Sequence, residues 1–481
     1  MKLMKRPAVL ALIVGALILA ACGQKSGVHL ASGRNGALVN PDTGEVIGGT
    51  GNQATGGGES AAAAGGGTAG AAGGAASAAG GSRTGAAART GGATAGGSAS
   101  GGGGGSDTTG VTDGAITIGL HAPVTGAAPF PTTSFQDGKD LYFNYLNDKG
   151  GINGRKVNVV FEDDGYNPGQ AVSKCKKMVQ QDHVFMLVGG GGTDQIVACA
   201  QYAASVGVPY LAEGVSEQGL NTLQNYFALS MTYKAQGPLL AQYMKNVLHV
   251  TKVGMIRGNT ANFDDAHSGF LQAAAANGLQ VVFDKSIDKN ADAQTAFSAG
   301  GSICSNRANA PEAVYPLIAP SIWVQIVAGA SAQACNPTWS GVGLTEGLNT
   351  VGTAICGASP QTSGKAHFFS PFPGWNVTDQ FDPAYRQAFA KQHPNSKIDD
   401  ISWALWSAEK LLAAQLAAPG RNLSRQSFIG AVNGKSFQTG IYPPVNYATS
   451  RFGGTSVHVV KLNCSDANSP YENELNFKSG F

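Results

Sequence analysis

The sequence predicts an α/β protein built from two doubly wound parallel-sheet lobes joined by a hinge and preceded by a disordered tether. Three observations carry this reading. Short apolar strands alternate with helix-patterned segments from residue 115 to about 211. The alternation then starts afresh near residue 253. Residues 48–110 contain no Val, Ile, Leu, Met, Phe, Tyr or Trp. Repeated strand–helix units argue for parallel sheets covered by helices. The part from Val111 to Phe481 is too long for one simple core.

The N-terminus reads as an export signal. Lys2, Lys5 and Arg6 precede an apolar run from Ala8 to Leu19 that is short for a bilayer span. Leu19-Ala20-Ala21-Cys22 resembles the lipobox of bacterial lipoproteins, in which the cysteine becomes the lipidated first residue. The expected organisation is a signal peptide over 1–21, a Gly/Ala/Ser-rich tether over 22–110 and a folded body over 111–481. A chain without large apolar side chains cannot offset its ordering entropy, so the tether should span about 50 Å as a coil. A net charge of +2 and the lack of a basic stripe give no reason to expect nucleic-acid binding.

Six cysteines follow Cys22, an even number that fits disulfides in an exported chain. They allow fifteen pairings. Cys175 with Cys199 and Cys304 with Cys335 are close in sequence on neighbouring elements, which leaves Cys356 with Cys464. No CxxC or HExxH spacing points to a metal, and no cofactor motif is present.

Along the body, strands are expected over 115–120, 157–161, 184–188 and 208–211, with helices over 135–147, 168–181 and 194–205. Lys149 to Gly154 is a turn rich in glycine. The second series has strands over 253–256, 281–283 and 313–317, with helices over 264–277, 293–304 and 321–332. Helices over 383–392 and 401–416 follow, the latter burying Trp403 and Trp406. Residues 442–462 read as strands around a Gly453-Gly454 turn. Ligands on such sheets bind beyond the carboxyl ends of the strands.

Several stretches resemble one family. Ile116-Thr117-Ile118-Gly119 leads into Ala122-Pro123-Val124-Thr125-Gly126. Asn147-Asp148-Lys149-Gly150-Gly151-Ile152-Asn153-Gly154-Arg155, then Phe161-Glu162-Asp163-Asp164 and Pro168-Gly169-Gln170-Ala171, follow in order. This is similar to the type I periplasmic binding proteins, specifically the leucine/isoleucine/valine-binding branch that serves ABC importers. The resemblance implies two lobes closing over a small-molecule ligand. It implies lobe 1 over 111–247 and 370–441, and lobe 2 over 252–368 and 442–481. It also implies no enzymatic activity.

The resemblance directs attention to four ligand-binding residues. Thr193 ends the loop Gly189-Gly190-Gly191-Gly192, where a helix N-terminus suits an anion; helix capping by Thr193 or Asp194 is the other use of this position. Gly214 and Ser216 lie in Glu213-Gly214-Val215-Ser216, an ordinary loop otherwise. Glu346 matches the family's partner for a ligand ammonium. Phe130, Phe263 and Trp375 are candidate apolar walls. The family's tyrosine after strand 313–317 is missing, since the loop reads Ile318-Ala319-Pro320. Its usual cysteine pair is missing too, with Tyr166 and Gly192 near those positions. The expected protein is a lipid-anchored extracytoplasmic receptor handing a small solute, such as a branched-chain amino acid, to an ABC permease. A sensory receptor of the same fold and an exported hydrolase are the alternatives.

Overall fold

The computed structural model describes residues 106–342, 347–466 and 469–481, together with Ala31–Ser32 and Leu38–Val39. The expected signal segment, Cys22, residues 40–105 of the expected tether and Glu346 lie outside the described residues. The chain divides after Gly97. In the first unit, Ala31–Ser32 pairs antiparallel with Leu38–Val39. The second unit carries both sheets. Its described part starts inside the stretch assigned to the tether: Asp107 accepts Arg425 Nη1 at 2.7 Å, and its backbone N–H donates to Gln426. Composition alone could not register a single carboxylate with a distant partner.

The first sheet contains β1 (Ala115–Ala122), β2 (Lys156–Asp163), β3 (Met186–Gly189), β4 (Tyr210–Ala212) and β5 (Tyr226–Ala228). All are parallel, in the order β2-β1-β3-β4-β5. The second contains β6 (Lys252–Asn259), β7 (Gln280–Asp288), β8 (Ala313–Leu317), β9 (Thr338–Val342) and β10 (Ala366–Ser370) in the matching order β7-β6-β8-β9-β10. A small pair, β11 (Ser436–Phe437) and β12 (Val445–Asn446), follows in the chain. β13 (Val457–Leu462) and β14 (Tyr471–Lys478) then extend the second sheet antiparallel beyond β10. The parallel parts of both sheets are doubly wound, with the strand order reversing between first and third strand.

Helices α1 (Thr132–Gly138), α2 (Leu141–Asn147), α3 (Pro168–Gln180) and α4 (Thr193–Ser205) serve the first lobe. The second has α5 (Tyr233–Asn246), α6 (Asp264–Ala276), α7 (Ala293–Gly301), α8 (Pro320–Ala332) and α9 (Asn349–Ala358). α10 (Thr378–Phe381), α11 (Ala384–Gln392), α12 (Asp400–Ala417) and α13 (Arg425–Val432) return to the first. Local chemistry sets several starts. Asn167 caps α3 by accepting the Gln170 N–H, with Pro168 in the first turn, and Asp399 caps α12 through Ser402. Trp403 and Trp406 are fully buried between α11, α12 and α2. No helix among the described residues is long and apolar enough to cross a membrane.

Three differences from the sequence reading concern the lobe boundaries and the last strand. α5 belongs to the second lobe, because Leu239, Leu240, Tyr243 and Met244 pack with Val253, Met255, Phe270 and Tyr315. The first crossing is therefore at 229–232, ahead of α5 and not near residue 247. Residues 442–452 stay with the first lobe: Tyr447 Oη donates to the Ala228 carbonyl at 3.0 Å, and the Ala228 N–H donates to Arg451. That crossing falls at about 453–456. β14 was not expected; its Glu-Asn-Glu-Leu-Asn run is the polar pattern of a half-buried edge strand. The first and last crossings touch at Gly454, where a Cβ would lie 1.9 Å from the Met231 nitrogen. Only glycine permits that approach.

Three disulfides close the described cysteines: Cys175–Cys199 between α3 and α4, Cys304–Cys335, and Cys356–Cys464. Their Cα separations of 6.2, 5.7 and 5.5 Å sit in the usual range for a cystine.

Candidate functional site

The switch points of the two lobes face each other across a cavity of about 140 Å³. From the first lobe come the loop after β1 with Pro123 and Phe130, the glycines after β3, and Glu213 and Val215 after β4. From the second come Phe263 after β6, Ile318 to Ser321 after β8, Val342, and the start of α9 with Leu348 and Val351. The walls are mostly aliphatic and aromatic. No lysine, arginine or histidine is among the described lining residues.

The glycine loop is shaped by close packing. A Cβ on Gly191 would lie 2.7 Å from the Phe130 ring, and Gly192 adopts φ +78° with its Cβ position against Gln195. Gly192 is the N-cap of α4 and supplies no side chain to the first helical N–H groups. Gly190, Gly191 and Gly192 at this helix start line the cavity. Thr193, 7% exposed, lines it at the first helical position, and its hydroxyl has no partner among the described residues. Neither Thr193 nor Asp194 caps the helix. Below the loop, His121, Asp164 and Tyr210 form a buried chain, with His121 Nδ1 2.8 Å from Asp164 and Nε2 2.6 Å from the Tyr210 hydroxyl. Mutual hydrogen bonding removes the penalty of burying these polar groups. Asp164 also accepts the N–H of Tyr166, which lines the cavity at φ +55°.

Asp194 points across the mouth to the other lobe. It accepts Thr260 Oγ1 and Asn262 Nδ2, each at 2.7 Å, and pairs with Lys289. Burial pushes the Asp194 carboxyl up, but the bonds from Asn262, Lys289 and Thr260 more than offset this and hold it below its ordinary range. A second bridge runs from Asp265 on α6 to the Glu217 N–H at 2.6 Å and the Ser216 hydroxyl at 3.2 Å. A third has Asp400 of α12 accepting the Asn349 N–H at 2.6 Å, which caps α9 from the opposite lobe.

The expected site residues therefore separate. Thr193, Phe130 and Phe263 come together on the cavity. Ser216 is fully buried and turned to Asp265, so it bridges lobes and does not line the cavity. Gly214 donates its N–H to Ser230 Oγ at 2.9 Å, and a Cβ there would meet the Ser230 carbonyl at 2.4 Å; its glycine serves the first crossing. Trp375 stacks on Arg386 and packs edge-on against Tyr385, away from the cavity. Tyr315 is buried against Phe270. The loop Ile318-Ala319-Pro320 does line the cavity, with apolar groups where a tyrosine was missing.

Glu213 is the residue that sequence reasoning passed over. Its Oε1 is buried without a hydrogen-bond partner, and desolvation pushes the carboxyl up to about 7. It is the only carboxylic acid among the described lining residues. Its position at the end of an apolar strand was the available signal.

The profile of the periplasmic binding protein family matches residues 115–468. The chain belongs to that family. A relative from Pseudomonas aeruginosa called amino acid binding protein is 29% identical over 146 residues, 29% of this chain and 38% of its own length. The chain thus spans about two-fifths of the curated relatives it matches. A fatty acid ABC transporter substrate-binding protein from Thermomonospora curvata superposes with a TM-score of 0.66 at 18% identity, covering 78% of this chain and 95% of that one. A branched-chain amino acid transporter substrate-binding protein from Streptococcus pneumoniae, in complex with isoleucine, gives 0.60 at 17% identity, covering 75% and 99%. At such identities these structures speak for the fold.

Proposed function

We propose that this protein is an extracytoplasmic solute-binding protein that captures a compact, largely apolar small molecule between its lobes and presents it to an ABC importer. The observation that carries the reading is the apolar cavity between two facing switch points, with the lobes bridged across its mouth by Asp194. Ligand favours the closed arrangement because only there do both lobes touch it. The uncapped start of α4, with Thr193, suits a ligand carboxylate or another acceptor group. Family membership, and relatives whose names cite amino acids and fatty acids, support the solute class in general terms.

The purified protein is expected to be stabilised by at least one member of a panel of aliphatic amino acids, aromatic acids and fatty acids. Saturation at a hundredfold excess over Kd adds about 2.7 kcal/mol, read as a clear rise in Tm. Thr193→Ala should weaken that ligand's calorimetric affinity by roughly tenfold, the value of one buried hydrogen bond, without lowering the unliganded Tm. A panel without any stabilising member would refute the reading. Retention at the membrane is assigned to lipidated Cys22, so Cys22→Ser is expected to move the protein into the soluble extracytoplasmic fraction. A variant still in the membrane fraction would remove the anchor.

A further inference from the structure

We propose that Glu213 is the charge partner of the ligand, and that the ligand carries a protonated nitrogen on an apolar body. This deepens the solute-binding reading and rests on it. The other acids at the mouth of the cleft are engaged. Asp194 is held by Thr260, Asn262 and Lys289, and Asp265 by Ser216 and the Glu217 N–H. Glu213 is the one carboxylate among the described lining residues, and its Oε1 is buried with nothing bonded to it. Asp400 Oδ1 is also buried without a partner, but Asp400 does not line the cavity and its other oxygen accepts the Asn349 N–H.

No lysine, arginine or histidine is among the described residues that line the two cavities at Glu213. It lines both the main cavity and a small one bounded by the three inter-lobe crossings, at Ser230, Pro371 and Ser456. Tyr226 donates its hydroxyl to the Glu213 backbone carbonyl at 2.8 Å, so that donor serves the main chain. Gln236 gives its amide to the Met231 carbonyl, and Ser370 gives its hydroxyl to Phe372. Among the described residues, Tyr226, Tyr442 and Tyr233 are the titratable groups that face Glu213 from β5, the segment before β12 and α5. Burial pushes the Tyr226 and Tyr442 hydroxyls up, so neither changes charge at neutral pH.

An ionised carboxylate without a partner in such a place is costly. A ligand ammonium would supply the missing counter-charge and remove that cost on binding. A carboxylate ligand without an amine brings a second negative group and no partner. The uncapped α4 N-terminus lies one strand away and could hold the acid end of a zwitterion, leaving its ammonium for Glu213.

The sign of the pH effect follows. Free Glu213 is pushed up to about 7 by burial, and a bound ammonium lowers that value. Binding of an amine therefore releases a proton, is strongest above 7, and weakens as pH falls through 7. Between pH 8.5 and 5.5 the loss is on the order of thirtyfold.

The test is calorimetry at both pH values on the full protein and on Glu213→Gln. The probes are two matched sets: L-leucine, 3-methylbutylamine and 4-methylpentanoate, then benzylamine and benzoate. The expected result is binding of amine-bearing probes, weakened roughly thirtyfold at pH 5.5. In Glu213→Gln, their affinity at pH 8.5 should fall roughly thirtyfold, the lower end for removing one partner of a buried charge pair, and the pH slope should flatten. A readout that needs no variant is the carboxyl carbon-13 titration of Glu213, with a midpoint near 7 that 3-methylbutylamine displaces downward. Binding of the acids alone, or amine affinity unchanged in Glu213→Gln, overturns the role of Glu213 and leaves the solute-binding reading standing. Binding of none of the probes overturns the role of Glu213, and the solute-binding reading falls with it only if the wider panel also holds no stabilising member.

Discussion

Asp194→Ala is expected to loosen the closed arrangement by roughly tenfold while leaving each lobe folded. The side chains of Asp194 and Lys289 are 14% and 24% exposed, so the pair is neither a surface bridge nor fully desolvated. Exposed pairs contribute about 0–1 kcal/mol, and breaking a fully buried one costs about 3–5. A value between these limits, about 1–2 kcal/mol, fits the partial burial and the two added hydrogen bonds from Thr260 and Asn262. Neither core loses apolar contact, so unfolding by denaturant should be nearly unchanged. On the hinge closure proposed for this fold, the effect belongs to the balance between separated and apposed lobes. Small-angle scattering should show a larger radius of gyration, and ligand affinity should fall by the same factor as the closed population. An unaltered scattering curve together with unaltered affinity would show that the bridge does not govern closure. The pH behaviour separates this residue from Glu213. Because bonding holds the Asp194 carboxyl below its ordinary range, its contribution is complete above about pH 4 and is lost only below it. Affinity changes between pH 5.5 and 8.5 therefore do not come from Asp194.

The strand–helix alternation was legible because parallel strands buried on both faces are nearly continuous apolar runs, as in Val184 to Val188 and Ala313 to Leu317. The glycine loop at 189–192 was legible for a different reason: glycines between a strand and a helix signal close backbone approach, and Phe130 occupies that space here. α5 was hidden by Gly237-Pro238, a pair that normally interrupts a helix, yet Pro238 sits in its first half and the buried face of Leu239, Leu240 and Tyr243 holds it to α6. β5 is only three residues long, too short for a pattern.

Side-chain direction in loops was the part that sequence could not supply. After β4, four residues in a row contain a carboxylate, a glycine, an apolar group and a hydroxyl. The hydroxyl of Ser216 turns to Asp265, whereas Glu213 turns to the cavity. A strand alternates with period two, but the first turn after it obeys no period. The lobe boundaries were misplaced for a related reason. Crossing segments are recognised by what they pack against, such as Tyr447 on Ala228, and not by their own composition.

Removing the Cys356–Cys464 disulfide should cost the most stability of the three, about 4–5 kcal/mol. Its ends are 108 residues apart, against 24 for Cys175–Cys199 and 31 for Cys304–Cys335. The chain-entropy account gives about 4.8 kcal/mol for the long loop, and about 3.4 and about 3.7 for the short ones. The comparison is informative because packing predicts the opposite order. Cys175 and Cys199 are both 0% exposed, so replacing them also disturbs a core, while Cys356 and Cys464 are partly exposed. Double Cys→Ala variants at each pair, unfolded in urea under non-reducing conditions, would separate the two contributions. If loop closure dominates, the Cys356/Cys464 variant has the lowest midpoint, and the pair that joins the end of α9 to the segment after β13 is the main covalent support of the second lobe. If the Cys175/Cys199 variant is the least stable, packing around the α3–α4 pair outweighs loop entropy, and the long disulfide acts locally to hold the edge of the second sheet.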